Sequence, residues 1–285
     1  AGSGKTYLLN IYIDFLKKHK VGVAITASTG IAATHLNGST IHSWSAIGIK
    51  NNLTSHDLSK IASNTNTCAR IQAAKVLIID EISMLHSYRL EMINQVCKKI
   101  RQDTRPFGGL QVILCGDFFQ LPPINEKEFP DSSFAFKSET WKELNLGICY
   151  LDEQHRQSDG EFLKVLNEIR SREVSEYTFQ KLSTRLNKDI QSEIKPTKLY
   201  THNVDVDAIN SFELEKIGKP KHLYEMTSRG KKNLVEVLKK SCLASETLII
   251  KEGAAVMFIK NNPGRGYVNG TLGKVIGFDV DGGYP

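Results

Sequence analysis

The run Val76-Leu77-Ile78-Ile79 constrains this chain most, because it is apolar on both faces and ends in two acids, Asp80 and Glu81. Successive strand residues point to opposite faces, so a strand without a polar face must be covered on both sides. Parallel sheets sandwiched between helices provide that environment. Three further short apolar runs, 21–26, 109–116 and 147–152, alternate with helix-like segments, as in sheets built from strand–helix–strand units. The expected class is α/β. The C-terminal ends of such strands border the crevice where open α/β sheets take ligands, which puts Asp80 and Glu81 at a site by topology.

The chain opens on AGSGKT, the second half of the P-loop pattern G-x-x-x-x-G-K-[ST]; the first glycine of that pattern would fall two residues before Ala1. A helix N-terminus offers unpaired N–H groups and a positive dipole end to an anion. Gly2 and Gly4 let the backbone close around phosphates. Ala1, Gly2, Ser3, Gly4, Lys5 and Thr6 are thus expected to hold the phosphates of ATP, with Lys5 at the β- and γ-phosphates and the Thr6 hydroxyl on Mg²⁺. The following segment carries Leu8, Leu9, Tyr12, Ile13, Phe15 and Leu16 at helical spacing and ends in Lys17, Lys18 and Lys20. Asp80 fits the second Mg²⁺ contact, and Glu81 the group that orients or deprotonates the attacking water. Either motif alone has a bland reading, a capped turn or a pair of helix-starting acids. Together, in this order, they describe an NTP site.

At 285 residues the chain has room for two domains. Its 40% hydrophobic and 24% charged content is that of an ordinary globular protein, and no apolar run approaches the ~18 residues of a membrane span, so no membrane partner is expected. A net charge of +6 is compatible with a polyanion. Cysteines 68, 97, 115, 149 and 242 form no C-x-x-C pair; Cys115 and Cys149 lie in or beside apolar runs, so reduced, buried thiols in an intracellular protein are expected instead of zinc ligation. The polar stretch 51–68 reads as an inserted loop or small subdomain. Helices are expected at 159–172, 176–188 and 204–217, and a strand at 197–201. The last segment changes to short strands with Gly and Asn turns, a small β-barrel-like piece. The expected division is 1–155, 156–247 and 248–285.

Two more segments follow strands. GDFFQLPPI (116–124) puts Asp117 and Gln120 at the sheet edge, where a glutamine can hydrogen-bond the γ-phosphate or its attacking water. EQHRQ (153–157) puts Arg156 where an arginine finger would serve. With TASTGIAA (26–33), STIHSW (39–44), IIDEISM (78–84), the helix-like 81–102, LYTHNVDVDAIN (199–210) and EGAAVMFIKN…YVNGTLGKV (252–275), these motifs run in the order of the Pif-one family of superfamily-one group B DNA helicases, which the chain closely resembles.

The resemblance implies two RecA-like P-loop NTPase domains, the second incomplete, with a small β-rich insertion at the C-terminal end. It implies ATP and Mg²⁺ as cofactors and 5′-to-3′ translocation on single-stranded DNA. Duplex or G-quadruplex unwinding would follow, in repair, recombination, replication or telomere maintenance. Expected partners are single strands and duplex junctions, engaged by a monomer. The compartment would be nuclear or mitochondrial in a eukaryote, and cytoplasmic or nucleoid in a bacterium. By resemblance, Lys5, Glu81, Gln120 and Arg156 are catalytic. Ser28, Thr29, Gly30, His42 and Trp44 would grip DNA in the first domain, and Thr201, His202, Asn203, Lys260 and Asn269 later in the chain, with Asn262 beside them. Trp44 fits base stacking or the core equally, and Phe118 and Phe119 fit packing better than stacking. The family's glutamine motif before the P-loop and its final motif are not in the sequence, so the chain reads as a fragment expected not to unwind DNA alone. The competing readings are a P-loop kinase or signalling NTPase and a nucleic-acid-binding module without motor activity; DNA-stimulated ATP turnover separates them. Lys5→Ala is expected to abolish ATP hydrolysis in the full-length protein and leave the fold intact; equal ATPase rates for variant and parent would refute the site.

Overall fold

The structure, a computed structural model, describes residues 2–124, 134–188, 197–200, 203–230, 235–236, 239, 242, 244–259, 262–267, 270–279 and 285; the side chains of 203–205 and 263 are not described. It divides into two compact units, Ala1–Lys181 and Leu182–Pro285. The helices after residue 159 thus group with the first unit, beyond the boundary expected near 153–158.

The first unit is built on a four-stranded parallel sheet. Its strands are β1 (Val23–Ala27), β2 (Ser39–Thr40), β3 (Val76–Asp80) and β4 (Gln111–Leu114), in the order β2-β1-β3-β4. All five residues of β3 are buried, as its apolar run requires. Its alternation feeds two cores. Val76 and Ile78 pack with Leu9, Ile13 and Leu16 of helix α1 (Lys5–Lys18), whose i, i+4, i+7 spacing forms one apolar stripe. Leu77 and Ile79 enter the larger cluster on the other face, with Leu90, Ile93 and Val96 of the long helix Ser87–Arg101.

Several expectations are corrected. The stretch 51–68, expected as an inserted loop or small subdomain, is largely helical: it holds helix Ser55–Ala62 and the first turn of Thr65–Ala73. Thr54 and Asn64 are the caps of these helices. Thr54 and Asp57 form a reciprocal capping box, and Asn64 Oδ1 accepts the Thr67 N–H at 2.9 Å. Hydrogen bonds from Lys50 and Thr54 hold the Asp57 carboxyl well below the usual carboxylate range. Residues 147–152 form no strand; Ile148 and Tyr150 are exposed, and Cys149 is exposed with them. All five cysteines are free thiols, and Cys97 is fully buried. Among the described residues no group of three or more metal-ligating side chains occurs, and no helix is long and apolar enough to cross a membrane.

In the second unit, residues 197–200 form no strand, and 201 lies outside the described residues. Helix Asn203–Glu215 is present. Two antiparallel pairs follow, His222–Glu225 with Thr247–Ile250 and Ala255–Met257 with Leu272–Lys274. Ile250, Ala254 and Val275 make a small core against Leu214, Tyr224 and Phe278. The buried Lys251 donates to the Ile217 carbonyl at 2.5 Å, satisfying an acceptor just past the helix end.

Because Ile78 and Ile79 are fully buried on opposite faces of the central strand, Ile78→Ala and Ile79→Ala are each expected to cost about 2–5 kcal/mol. Denaturant unfolding of the two variants checks this; a loss below about 1 kcal/mol for either would mean that its side of the sheet is not a core.

Candidate nucleotide site and nucleic-acid grip

The strand ends converge on one edge of the sheet. Gly2 and Gly4 both adopt left-handed backbone, at φ 85° and 79°, and Gly4 caps α1, so the loop delivers Lys5 as the first helical residue. Lys5 and Gly2–Gly4 are half-buried, and Thr6 is exposed at the helix start; Ala1 lies outside the described residues. Over this loop lies the EQHRQ segment. The His155 N–H donates to the Gly2 carbonyl at 2.9 Å, and a Cβ on Gly2 would stand 2.8 Å from the Arg156 Cβ. Arg156 is thereby brought to the P-loop by backbone pairing.

Beyond β3 and β4 the ladder continues into the site. Cys115 N–H donates to the Ile79 carbonyl and Ile82 N–H to the Cys115 carbonyl, both at 3.0 Å. Asp80 is 5% exposed and accepts the Glu81 N–H at 2.9 Å; among the described residues it forms no ion pair. A buried carboxylate lacking a cationic partner suits a divalent ion. Glu81 takes left-handed backbone at φ 52°, which turns the chain sharply after the strand. Burial, then the adjacent Asp80 charge, raises its carboxyl above the usual range; Lys5 opposes this and Asp117 adds to it. The Cys115 thiol, half-buried beside Asp80, is pushed up to about 12 by desolvation and then by that carboxylate, and is inert as a nucleophile.

Asp117 is the hub of the next loop. Its carboxylate, 8% exposed, accepts the Phe119 N–H at 3.1 Å, the Gln120 side-chain amide at 3.0 Å and a two-point ion pair from Arg170, at 2.8 and 3.0 Å. The Arg170 guanidinium holds this carboxyl far below the carboxylate range. Arg170 also lies 4.6 Å over the exposed Phe119 ring, whereas Phe118 packs against Phe134, Phe136 and Trp141. Arg170 belongs to none of the sequence motifs. It lies 53 residues from Asp117, on a helix face that no short-range pattern links to the loop.

The expected DNA contacts separate. Ser28 is buried, its N–H donating to the Asp80 carbonyl at 3.0 Å and its hydroxyl donating to the Glu81 carbonyl at 2.7 Å, which ties it to the acid turn. Thr29 caps the following short helix, and Gly30 is exposed with open space where a Cβ would stand. Trp44 is 7% exposed and packs in the larger core with Ile41, one helical turn away, as its core alternative expects. His42, between them in sequence, is half-buried on another face. Burial, then the charges of Arg89 and His86, holds its imidazole at about 4, so near neutral pH it is an uncharged hydrogen-bonding group. His86 itself donates to the Ile124 carbonyl at 2.9 Å. Thr201, His202, Lys260 and Asn269 lie outside the described residues, and Asn203 opens its helix. Asn262 pairs with the backbone of Tyr267.

A glycine loop feeding a helix, a buried strand ending in Asp-Glu and an arginine segment folded over the loop define a RecA-like P-loop NTPase domain. Residues 1–182 match the family model described as PIF1-like helicase, and residues 233–278 match DNA helicase Pif1, 2B domain. The chain belongs to the PIF1-like helicase family. It is 49% identical over 287 residues to the ATP-dependent DNA helicase Pif1 of Psychrobacter sp. (strain PRwf-1), covering 98% of this chain and 43% of that protein. The crystal structure of Pif1 helicase from Candida albicans superposes with a TM-score of 0.80 at 38% identity, over 99% of this chain and 65% of that one. Pif1 helicase from Bacteroides in complex with ADP-AlF3 and ssDNA superposes at 0.70 with 30% identity, over 98% and 65%. The chain spans about two fifths of the length of the curated relatives it matches.

Gly2→Ala combines a left-handed φ with a Cβ clash at 2.8 Å on the Arg156 side chain. It should add about 1–3 kcal/mol of strain at the loop and weaken nucleotide binding on the order of tenfold. Titration with a fluorescent nucleotide checks this, and unchanged affinity would show that the loop and the arginine segment are not packed together.

Proposed function

We propose that the chain is the ATPase and strand-gripping part of an ATP-dependent DNA helicase that moves 5′ to 3′ on single-stranded DNA and acts at duplex junctions. One observation favours a motor over a simple NTPase: the Ser28 hydroxyl donates to the Glu81 carbonyl at 2.7 Å. That bond joins the turn carrying Thr29 and Gly30 to the residue placed to activate water. A phosphate held by those backbone groups and a change at Glu81 would move one shared turn.

In this reading Lys5 and the amides of Gly2–Thr6 bind the ATP phosphates, and Asp80 with the Thr6 hydroxyl holds Mg²⁺, which when bound supplies charge neutralisation at the β- and γ-oxygens. Glu81 takes or orients the proton of the attacking water; its raised affinity for a proton suits a base. Gln120 donates its amide N–H to Asp117, which leaves its carbonyl oxygen to orient that water. Arg156 stabilises charge on the transferred phosphoryl group. His42, uncharged, hydrogen-bonds the bound strand.

ATP hydrolysis by the full-length protein is expected to rise on adding single-stranded DNA. Glu81→Gln should retain nucleotide binding while cutting that turnover about a hundredfold or more. Turnover indifferent to DNA would overturn the motor reading, and lost nucleotide binding in Glu81→Gln would overturn the division of roles between Asp80 and Glu81.

A further inference from the structure

Arg170 stands outside every motif of the nucleotide site, yet it closes on the same carboxylate that holds Gln120. Arg170 lies in the last turn of helix Gly160–Ser171, which follows the EQHRQ segment. Both its terminal nitrogens meet Asp117, at 2.8 and 3.0 Å, the planar two-point geometry that fixes a carboxylate's rotation as well as its position. Asp117 in turn takes the Gln120 amide at 3.0 Å, the Phe119 N–H at 3.1 Å and, through its own carbonyl, the Gln120 N–H at 2.9 Å. The guanidinium covers the Phe119 ring at 4.6 Å. Every residue from 117 to 120 except Phe118 is therefore bound to Arg170 directly or through one carboxylate, and Phe118 is held by Phe134, Phe136 and Trp141.

We infer that Arg170 is a positioning residue for ATP hydrolysis, which sets the Gln120 carbonyl toward the attacking water by fixing the Asp117 carboxylate. The inference rests on the role given to Gln120 above. Geometry shows why a simple scaffold is an insufficient account. Gln120 is exposed, and its side chain has one described hydrogen bond, that to Asp117. Asp117 released from Arg170 could rotate and take Gln120 with it, while the sheet and the two cores, which contain neither residue, stay in place. The two ends of the 153–171 segment then serve opposite walls of one site: His155 and Arg156 at the P-loop, Arg170 at the 117–120 turn.

The test is a double-mutant cycle in the full-length protein, with DNA-stimulated ATP hydrolysis as the readout. Arg170→Gln is expected to lower kcat about ten- to a hundredfold, with the KM for ATP changed less than about threefold. Arg170→Lys, which keeps the charge and loses the two-point geometry, should recover part of that loss. In a Gln120→Ala background, Arg170→Gln should cost almost nothing further, since nothing remains to be positioned. Losses that simply add would overturn the positioning and leave the Gln120 role standing. A Gln120→Ala protein with normal turnover would overturn both. If Arg170→Gln does not fold, the same comparison is made with Arg170→Lys in the two backgrounds, and additive losses there overturn the positioning equally.

Discussion

Everything in the site depends on the burial of β3. A strand with no polar face is stable only between two cores, and its alternation supplies both, Val76 and Ile78 to one and Leu77 and Ile79 to the other. Burial fixes its register against β1 over all five residues and against β4 over Val76–Ile79. Once that register is fixed, the acids at its end have no freedom in where they emerge. They appear beside Ser28 after β1 and beside Cys115–Asp117 after β4, so the site's geometry inherits the rigidity of the core.

Electrostatics then distinguishes three carboxylates that sequence would treat alike. Asp117 is neutralised by Arg170 and stays ionised far below the usual range. Asp80 is buried without an ion pair among the described residues, the state that accepts a divalent cation. Glu81 is partly desolvated next to Asp80, which raises its proton affinity, while Lys5 restrains the rise. Three carboxylates at one strand edge thus have three different surroundings.

Reading the sequence recovered what local chemistry controls. The apolar run at 76–79 and the glycine loop with its helix are set by periodicity or by backbone freedom within a few residues, whereas the helix that the family resemblance puts at 81–102 starts only at Ser87, after a 3-10 turn at Ile82–Met84. It failed where a local cue had a second meaning. Ser, Thr and Asn between 51 and 68 look like a loop, but Thr54 and Asn64 serve as helix caps. The run 147–152 has a strand's composition, yet it pairs with no strand, and the chain's next backbone pairing is with Gly2. Trp44 and His42 sit two residues apart in one polar-looking turn, and only helical geometry sends the first inward.

The sequence by itself determined that a phosphate-binding loop, a doubly buried strand and a pair of acids occur in one chain, because each depends on neighbours within about ten residues. It also carried the family, through the order of its motifs. The tertiary structure alone decided which groups meet: Arg156 on Gly2, Ser28 on Glu81, and Arg170 on Asp117 across 53 residues. Such contacts are set by how helices close over a sheet, and no local preference encodes them. The Arg170 side chain that pairs with Asp117 therefore left no trace in any motif.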